Sequence, residues 1–522
     1  MKYICIALVF FAISSLRAQT VSVTYSDKFE LRDHGLTEKE GSTFWSGDYF
    51  YCVETVYKGV QLAYTAKLDN VKYDVNLYQY DRSMKELKHV TLGGSDHFGP
   101  FPPFTAFFGG KVLIFYYRVQ PDKSIQLLYS AVDPETLTSE PGKLLYTISE
   151  RNVGIFNLRK AFYLNELRGA ISPDSSKLLV AQAGNTDEIF TCVLDNNGIT
   201  SKPAISKIRG DLEEFNLQQA HIDNEGNRYF TFYYSEDKKW KSGIFLRNAA
   251  GKEAWPAVNT MQDGLEAGTI FMQESKDNTK MYLYGLCDAD NHEEGVFLTT
   301  VDGTKLKLGK PAVYLYPEDI GKNLHKLDYG EKHHGAYTVK PTYYACTELS
   351  DGTIALTGYP INVIHHSYTN NVGVMAGNTT NSTEHFAGPL LNIFFKNGKG
   401  SMGVIYRDQE MTAASAFITV PYGDKLVCIY NDSEKSLGSD DLRVNGRRYE
   451  IGDLVLAYAV IGSDGTVISR KKVADKDGHL SFFTQYQQNI GDNNFLVPLC
   501  EYKMNAIRYY TEMKLWAKIK VI

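Results

Sequence analysis

Short runs of β-branched and aromatic residues, each closed by Gly, Asp or Asn, recur along the whole chain, for example Tyr49 to Val56, Val112 to Tyr117, Lys177 to Ala181, Tyr229 to Tyr234, Met281 to Leu286, Ile354 to Leu356, Leu426 to Tyr430 and Phe495 to Leu499. Side chains of these types fit a pleated, half-buried surface, so the runs read as strands. Several are apolar at consecutive positions instead of alternating, the pattern of strands covered on both faces. Between them stand Asn197-Gly198, Glu225-Gly226, Asp302-Gly303, Asp351-Gly352, Asn397-Gly398, Asp464-Gly465 and Asp477-Gly478. A glycine there supplies the positive φ of a tight hairpin turn, so the connections are expected to be antiparallel.

A loose unit of turn, buried strand, polar loop, second strand, Asp-Gly turn and third strand recurs around residues 46–92, 108–148, 170–207, 220–258, 275–312, 348–407 and 422–472, leaving 490–522. Irregular repetition of a hairpin unit is the sequence form of a β-propeller. The fold class expected is therefore all-β, a seven-bladed propeller, with six or eight blades as the alternatives. The remaining C-terminal strands are expected to close a blade with the N-terminal strand near Val21 to Tyr25, which removes exposed edges. Residues 19–522 then form a single propeller domain. A polar stretch at about 362–389, with Thr369-Asn370-Asn371 and Asn378-Thr379-Thr380-Asn381-Ser382-Thr383, interrupts a hairpin and reads as a loop insertion protruding from one face.

Composition supports this reading. Tyr 36 and Phe 27 against Trp 4, together with Gly 43, is a vocabulary of strands and turns. The start of the chain, Met1-Lys2 followed by an apolar stretch to Ile13 and by Ser14-Ser15-Leu16-Arg17-Ala18, reads as a signal peptide over residues 1–18. The apolar stretch is shorter than the ~20 residues of a spanning helix, and Cys5 lies inside it, away from any lipid-attachment position. Export to the periplasm or the exterior, with no membrane span, is the expectation. Without residues 1–18 the chain has 53 basic against 61 acidic residues, a mildly acidic balance that argues against nucleic acid as a partner. Cys52, Cys192, Cys287, Cys346, Cys428 and Cys500 are widely spaced in apolar runs and read as small buried side chains, with pairing left open.

Ser172-Pro173-Asp174-Ser175-Ser176-Lys177 resembles the opening of TolB-like propeller blades. The second half, roughly 275–510, resembles a group of uncharacterised exported β-propeller-like proteins of Gram-negative bacteria. The residues carrying this are Asp351-Gly352-Thr353-Ile354-Ala355-Leu356, Asn392 to Gly398, Arg407-Asp408-Gln409 and Tyr430-Asn431-Asp432. The resemblance implies the fold and export and transfers no catalytic residue.

Signatures of catalysis are absent: Lys399-Gly400-Ser401 breaks a nucleophile elbow, and His292-Glu293-Glu294 lacks the second histidine of a zincin. Six of the 12 histidines lie between His325 and His385, including the pairs His333-His334 and His365-His366. Zinc takes three or four ligands, and neighbours on a strand face opposite ways, so each pair offers one imidazole; Glu331 and His333 would share a face. Glu331, His333 and His365 are the candidate metal ligands, although no cofactor is required. The oxygen-rich run Asp288 to Glu294 lacks an ordered calcium-ligand spacing and reads as an exposed turn. Aromatics crowd a loop at Phe98, Phe101, Phe104, Phe107 and Phe108, and Tyr pairs occur at 116–117, 233–234, 343–344 and 509–510. Alternation buries one ring of each pair and presents the other.

The binding candidates are accordingly His333, His334, His365, His366, Tyr343, Phe101 and Phe104. The function expected is a binding or scaffold protein holding a glycan, peptide or protein partner on one propeller face. The alternative is a hydrolase or lyase acting on polysaccharide or peptide; the lack of signatures leans against an enzyme.

Overall fold

A computed structural model describes residues 21–25, 31–32, 42–57, 73–81, 85–92, 103–120, 122, 124–148, 167–183, 188–199, 203–207, 214–236, 239–258, 266–288, 294–318, 320, 337–370, 378–407, 409–410, 417–433, 437, 454–473, 481–482, 488–489, 493–504 and 509–521. The expected signal peptide at 1–18 lies outside them. Among the described residues no helix is long and apolar enough to cross a membrane.

The strands form eight antiparallel sheets arranged as an eight-bladed β-propeller. Blades I to VII follow one another at 42–92, 104–148, 168–207, 214–254, 266–315, 337–410 and 417–472. Blade VIII joins the two ends of the chain: Val21–Tyr25 pairs with Tyr509–Val521, Val21 opposite Val521 and Tyr25 opposite Ala517, and Tyr509–Val521 pairs in turn with Asn494–Met504. The expected closing strand is thus in place. The count of seven is corrected to eight, because the seven repeats traced in sequence were each a blade and the remainder at 490–522 is the eighth.

Burial explains the consecutive apolar runs. In blade III, Lys177–Ala183 and Glu188–Asp195 are buried at nearly every position, whereas the outermost strand of blade I, Glu86–Leu92, is largely exposed. The middle strands of a blade carry a neighbouring sheet on each face, so both sets of alternating side chains are covered. Leu178, Val180 and Cys192 pack toward blade II, while Leu179, Ala181 and Val193 pack toward blade IV. All seven core clusters bridge successive blades, from blades I and II to blades VII and VIII. Cys52, Cys192, Cys287, Cys346 and Cys428 are buried free thiols, as the apolar context of each suggests; the Cys500 side chain lies outside the description.

The stretch expected as a polar loop is, over its described residues, a β-ribbon. Ile354–Asn370 runs past the end of its blade and pairs with Asn378–Ala387 from Ile361 opposite Ala387 to Asn370 opposite Asn378. Its Thr, Val, Ile and Tyr content is β-forming, and a two-stranded ribbon needs no apolar face to complete its hydrogen-bond ladder. The polar composition does not mark an absence of strand.

Candidate functional site on the bulged inner strands

The order of strands gives the propeller two unlike faces. Within a blade the first-to-second and third-to-fourth connections emerge on one face, and these are tight turns such as Gly47-Asp48, Gly109-Gly110, Asn197-Gly198 and Asn397-Gly398. That face is bonded from blade to blade: the Asp174 amide donates to Asn224 Oδ1 at 2.9 Å, the Lys276 amide to Glu348 Oε2 at 3.2 Å, and the Ser350 amide to the Gly423 carbonyl at 3.0 Å. The opposite face receives the second-to-third connections and the links between blades. The ribbon of blade VI extends one of these second-to-third connections.

The innermost strands, which surround the axis, are irregular in blades IV, V and VI. Their ladders to the second strands shift register between Leu217 and Gln219, between Ala267 and Ile270, and between Tyr343 and Ala345. Gln218 and Tyr344 are therefore bulged residues, and a bulge re-aims the side chain it carries. Beneath two of these bulges lies a glycine on the second strand. A Cβ on Gly358 would meet Tyr343 Cα at 2.7 Å and the Thr342 carbonyl, and one on Gly285 would meet Ile270 Cα at 2.9 Å and the Thr269 carbonyl. Only a residue without a side chain lets the bulged backbone sit there.

The innermost strands of blades IV to VII are tied to one another by side chains. Gln219 Oε1 accepts from the Met272 amide at 2.7 Å, Gln273 Oε1 accepts from the Cys346 amide at 3.2 Å, and the Thr347 and Thr419 hydroxyls are 2.8 Å apart. The Ser242 hydroxyl donates to the Gly268 carbonyl. Gln218 Nε2 donates to Asn216 Oδ1 at 3.1 Å, leaving both side chains half-buried.

Tyr344 is 44% exposed while Tyr343, its neighbour, is 1% exposed. Tyr344 belongs to a row of rings: Phe271 at 5.9 Å, Tyr359 at 5.1 Å, and Phe417 a further 6.0 Å beyond Tyr359. Burial pushes the Tyr344 hydroxyl well above its ordinary value, with the neighbouring Tyr359 adding to it. Tyr233 lies close by, and burial raises its hydroxyl despite a hydrogen bond with Thr269.

A buried polar cluster between blades VI and VII stands behind this row. The Arg407 guanidinium is fully buried and lies 5.4 Å from the centre of the Tyr359 ring and 5.8 Å from that of Tyr430. Burial pushes Arg407 below its ordinary value, while Tyr359 and Asp432 act to hold the charge. Arg470 donates through Nη2 to Asp432 Oδ2 at 2.9 Å and to the Tyr406 carbonyl at 2.8 Å, and through Nε to the Tyr430 hydroxyl at 3.2 Å. Asn392 Oδ1 accepts from Thr357 Oγ1 at 2.8 Å and from Cys428 Sγ at 3.3 Å, and burial pushes the Cys428 thiol up to about 12. Asn392, Arg407, Tyr430 and Asp432, which carried the resemblance noted in the sequence, thus come together in one interface. Planar cations against rings at these distances fix ring orientation.

The residues singled out in sequence fall differently. Tyr343 is corrected from a binding residue to a core residue: it is the buried member of its pair, and its hydroxyl lies 2.8 Å from that of Tyr316 between blades V and VI. Phe104 is on the inner strand of blade II, Phe104–Phe108, and not in a loop; its ring lies 5.7 Å from Phe115 in the core. His365 and His366 occupy consecutive positions of the ribbon, opposite Thr383 and Ser382. Phe101, Glu331, His333 and His334 lie outside the described residues. Among the described residues no three His, Cys, Asp or Glu groups are gathered around a common point. Tyr344 is the presented member of the pair noted in sequence, and the glycine of Thr357-Gly358-Tyr359 marks its bulge; Gln218 was not singled out, and no glycine on the neighbouring strand marks it.

No family model matches the chain, and no curated protein matches it. Among solved structures it is similar to the β-propeller domain of the trilobed protease from Pyrococcus furiosus, at 12% identity over 87% of this chain and 99% of that one, with a TM-score of 0.32. It is similar to the polysaccharide lyase Uly1 at 13% identity over 81% and 90%, with a TM-score of 0.38. It is also similar to the WD40 domain of SCAP from fission yeast, at 10% identity over 96% and 98%, with a TM-score of 0.36.

Proposed function

We propose that this is an exported binding protein whose ligand is a glycan, held where the bulged inner strands of blades IV to VI face the axis. The observation that carries the reading is Tyr344: a tyrosine 44% exposed on an innermost strand, placed by a bulge and backed by a row of packed rings. A sugar ring offers one apolar face and a rim of hydroxyls, which a tyrosine ring and the half-buried amides of Gln218 and Asn216 complement. The mildly acidic chain, with net charge -6, suits a neutral ligand better than a polyanion. The test is thermal unfolding of the chain against neutral oligosaccharides, followed by titration of any that stabilise it. Replacing Tyr344 with Ala is expected to weaken binding about tenfold, or 1.4 kcal/mol. A bound oligosaccharide indifferent to Tyr344→Ala would remove the site, and a panel with no stabilising oligosaccharide would remove the ligand class.

A second reading, the exported hydrolase or lyase, has one observation on its side. Glu274, at the end of the inner strand of blade V, has its carboxyl pushed up to about 7 by burial and by repulsion from Asp223. A carboxylic acid that keeps its proton near neutrality suits general acid catalysis. Turnover of a polysaccharide that disappears in Glu274→Gln, with binding retained, would favour this reading over pure binding.

A further inference from the structure

Outside their inner strands, blades III and IV meet across a pair of arginines. Arg228 on the second strand of blade IV stands directly opposite Arg247 on the third. Both share the sheet face of Phe230 and Phe245, which packs against blade III. Arg228 Nη1 donates to Thr191 Oγ1 at 3.3 Å and Arg247 Nη1 to Ser206 Oγ at 2.9 Å, both acceptors lying on blade III. One carboxylate serves the two guanidiniums: Glu253 Oε1 accepts from Arg247 Nη1 at 3.0 Å and from the Ser206 hydroxyl at 2.7 Å.

Like charges directly opposite each other on a sheet destabilise it, since their Cβ atoms stand about 4.5–5.5 Å apart. Both arginines are half-buried, which strengthens the repulsion. Among the described residues no carboxylate is bonded to Arg228, and its buried Nε has no hydrogen-bond partner. Burial pushes Arg228 below its ordinary value, and the Arg247 charge pushes it the same way. A cation withdrawn from water with neither a counter-charge nor a full set of acceptors destabilises the interface that holds it. An anion between the two guanidiniums reverses that effect. The hydrogen bonds of both arginines run through Nη1, which leaves both Nη2 groups for a further acceptor. A tetrahedral oxyanion has oxygens enough to accept from two guanidiniums at once.

We propose that Arg228 and Arg247 bind one tetrahedral oxyanion, a phosphate or sulfate group, at the interface of blades III and IV. The site shares no residue with the bulged inner strands, so it stands whether or not the glycan reading does. The group arrives either as a free ion or as an ester on a larger ligand.

The experiment is calorimetric titration of the full chain with inorganic phosphate, inorganic sulfate and glucose 6-phosphate, at neutral pH and an ionic strength held constant with chloride. The expected result is one anion per chain, with affinity about tenfold lower in Arg228→Gln and in Arg247→Gln. Lys518→Gln, which removes an exposed cation of blade VIII, should leave it unchanged. Binding of the inorganic ions marks a free-ion site, and binding of glucose 6-phosphate alone marks an ester-borne group; either supports the proposal. Far-UV circular dichroism confirms that each variant is folded. If Arg228→Gln does not fold, Arg228→Lys decides in its place, since it keeps the charge and loses the planar fork, with the same expected loss. Absence of binding of all three anions by the parent chain overturns the proposal. So does binding that survives both Arg228→Gln and Arg228→Lys, or that falls as far in Lys518→Gln as in Arg228→Gln.

Discussion

Gly358 is a position at which a single methyl group collides with backbone on the neighbouring strand. A Cβ there would stand 2.7 Å from Tyr343 Cα and 2.8 Å from the Thr342 carbonyl carbon, against ordinary contacts of 3.4 Å and beyond. Both neighbours are backbone and the Thr342 carbonyl oxygen is closer still, so no side-chain rotation relieves the clash and the bulge itself must move by ~1 Å or open. Overpacking of this kind costs about 1–3 kcal/mol, and more where backbone hydrogen bonds are lost as well. Gly352→Ala is the control: φ is +78° there and nothing lies within 4 Å of its Cβ, so the change costs only the ~1 kcal/mol of a left-handed alanine. Thermal unfolding and near-ultraviolet circular dichroism on the parent and both variants measure the two halves of the argument. Gly358→Ala is expected to lower Tm by more than Gly352→Ala and to change the tyrosine signal, because Tyr344 rides on the displaced bulge. Equal Tm values, or an unaltered aromatic spectrum, would refute the claim that glycine is needed to seat the bulge.

Removing the carboxylate in Asp432→Ala leaves Arg470 buried beside Arg407 and is expected to cost about 3–5 kcal/mol, whereas Asp432→Leu combined with Arg470→Met should cost less than the single change; urea unfolding of the three proteins checks this. Glu274 holds its proton up to about pH 7 when folded and gives it up in the ordinary carboxylate range when unfolded, so folding loses stability as pH rises through that interval. Discounted for partial exposure, the effect is about 1–2 kcal/mol, and Glu274→Gln should be more stable than the parent at pH 8 and equal to it at pH 4. The five described buried thiols should resist a thiol reagent in the folded chain and react after denaturation, as a colorimetric thiol count would show.

Strand content and closure were legible in sequence because consecutive apolar runs such as Leu178 to Ala181 have one physical reading, coverage on both faces. The blade count was one short because the eighth blade is split between the two ends of the chain, so Asn494–Met504 and Tyr509–Val521 stood as a remainder that closes a blade and were not counted as a further one. Alternation correctly separated Tyr343 from Tyr344 without saying which ring is presented, since a bulge between them resets the parity. The Arg407, Asp432 and Arg470 cluster was beyond reach for a different reason: strands from two blades bring it together, and no spacing along one strand encodes the contact between them. Polar composition misdirected the reading of the ribbon, because a two-stranded ladder is completed by backbone groups and puts no apolar demand on its sequence.

Closure by Val21–Tyr25 makes the first strand of the chain the latch for the last blade. Its partner strand ends at Val521, so the ladder between them joins residues separated by nearly the whole sequence. Bringing such distant segments together costs an unfolded chain little more than a medium-sized loop does, since the entropy grows only with the logarithm of length. Blades I to VII, once stacked, carry both ends round to the same place and remove even that cost. A break at the latch would therefore remove one ladder, that of Val21–Tyr25 on Tyr509–Val521, while the pairing of Tyr509–Val521 with Asn494–Met504 and the stacking of blades I to VII do not use it.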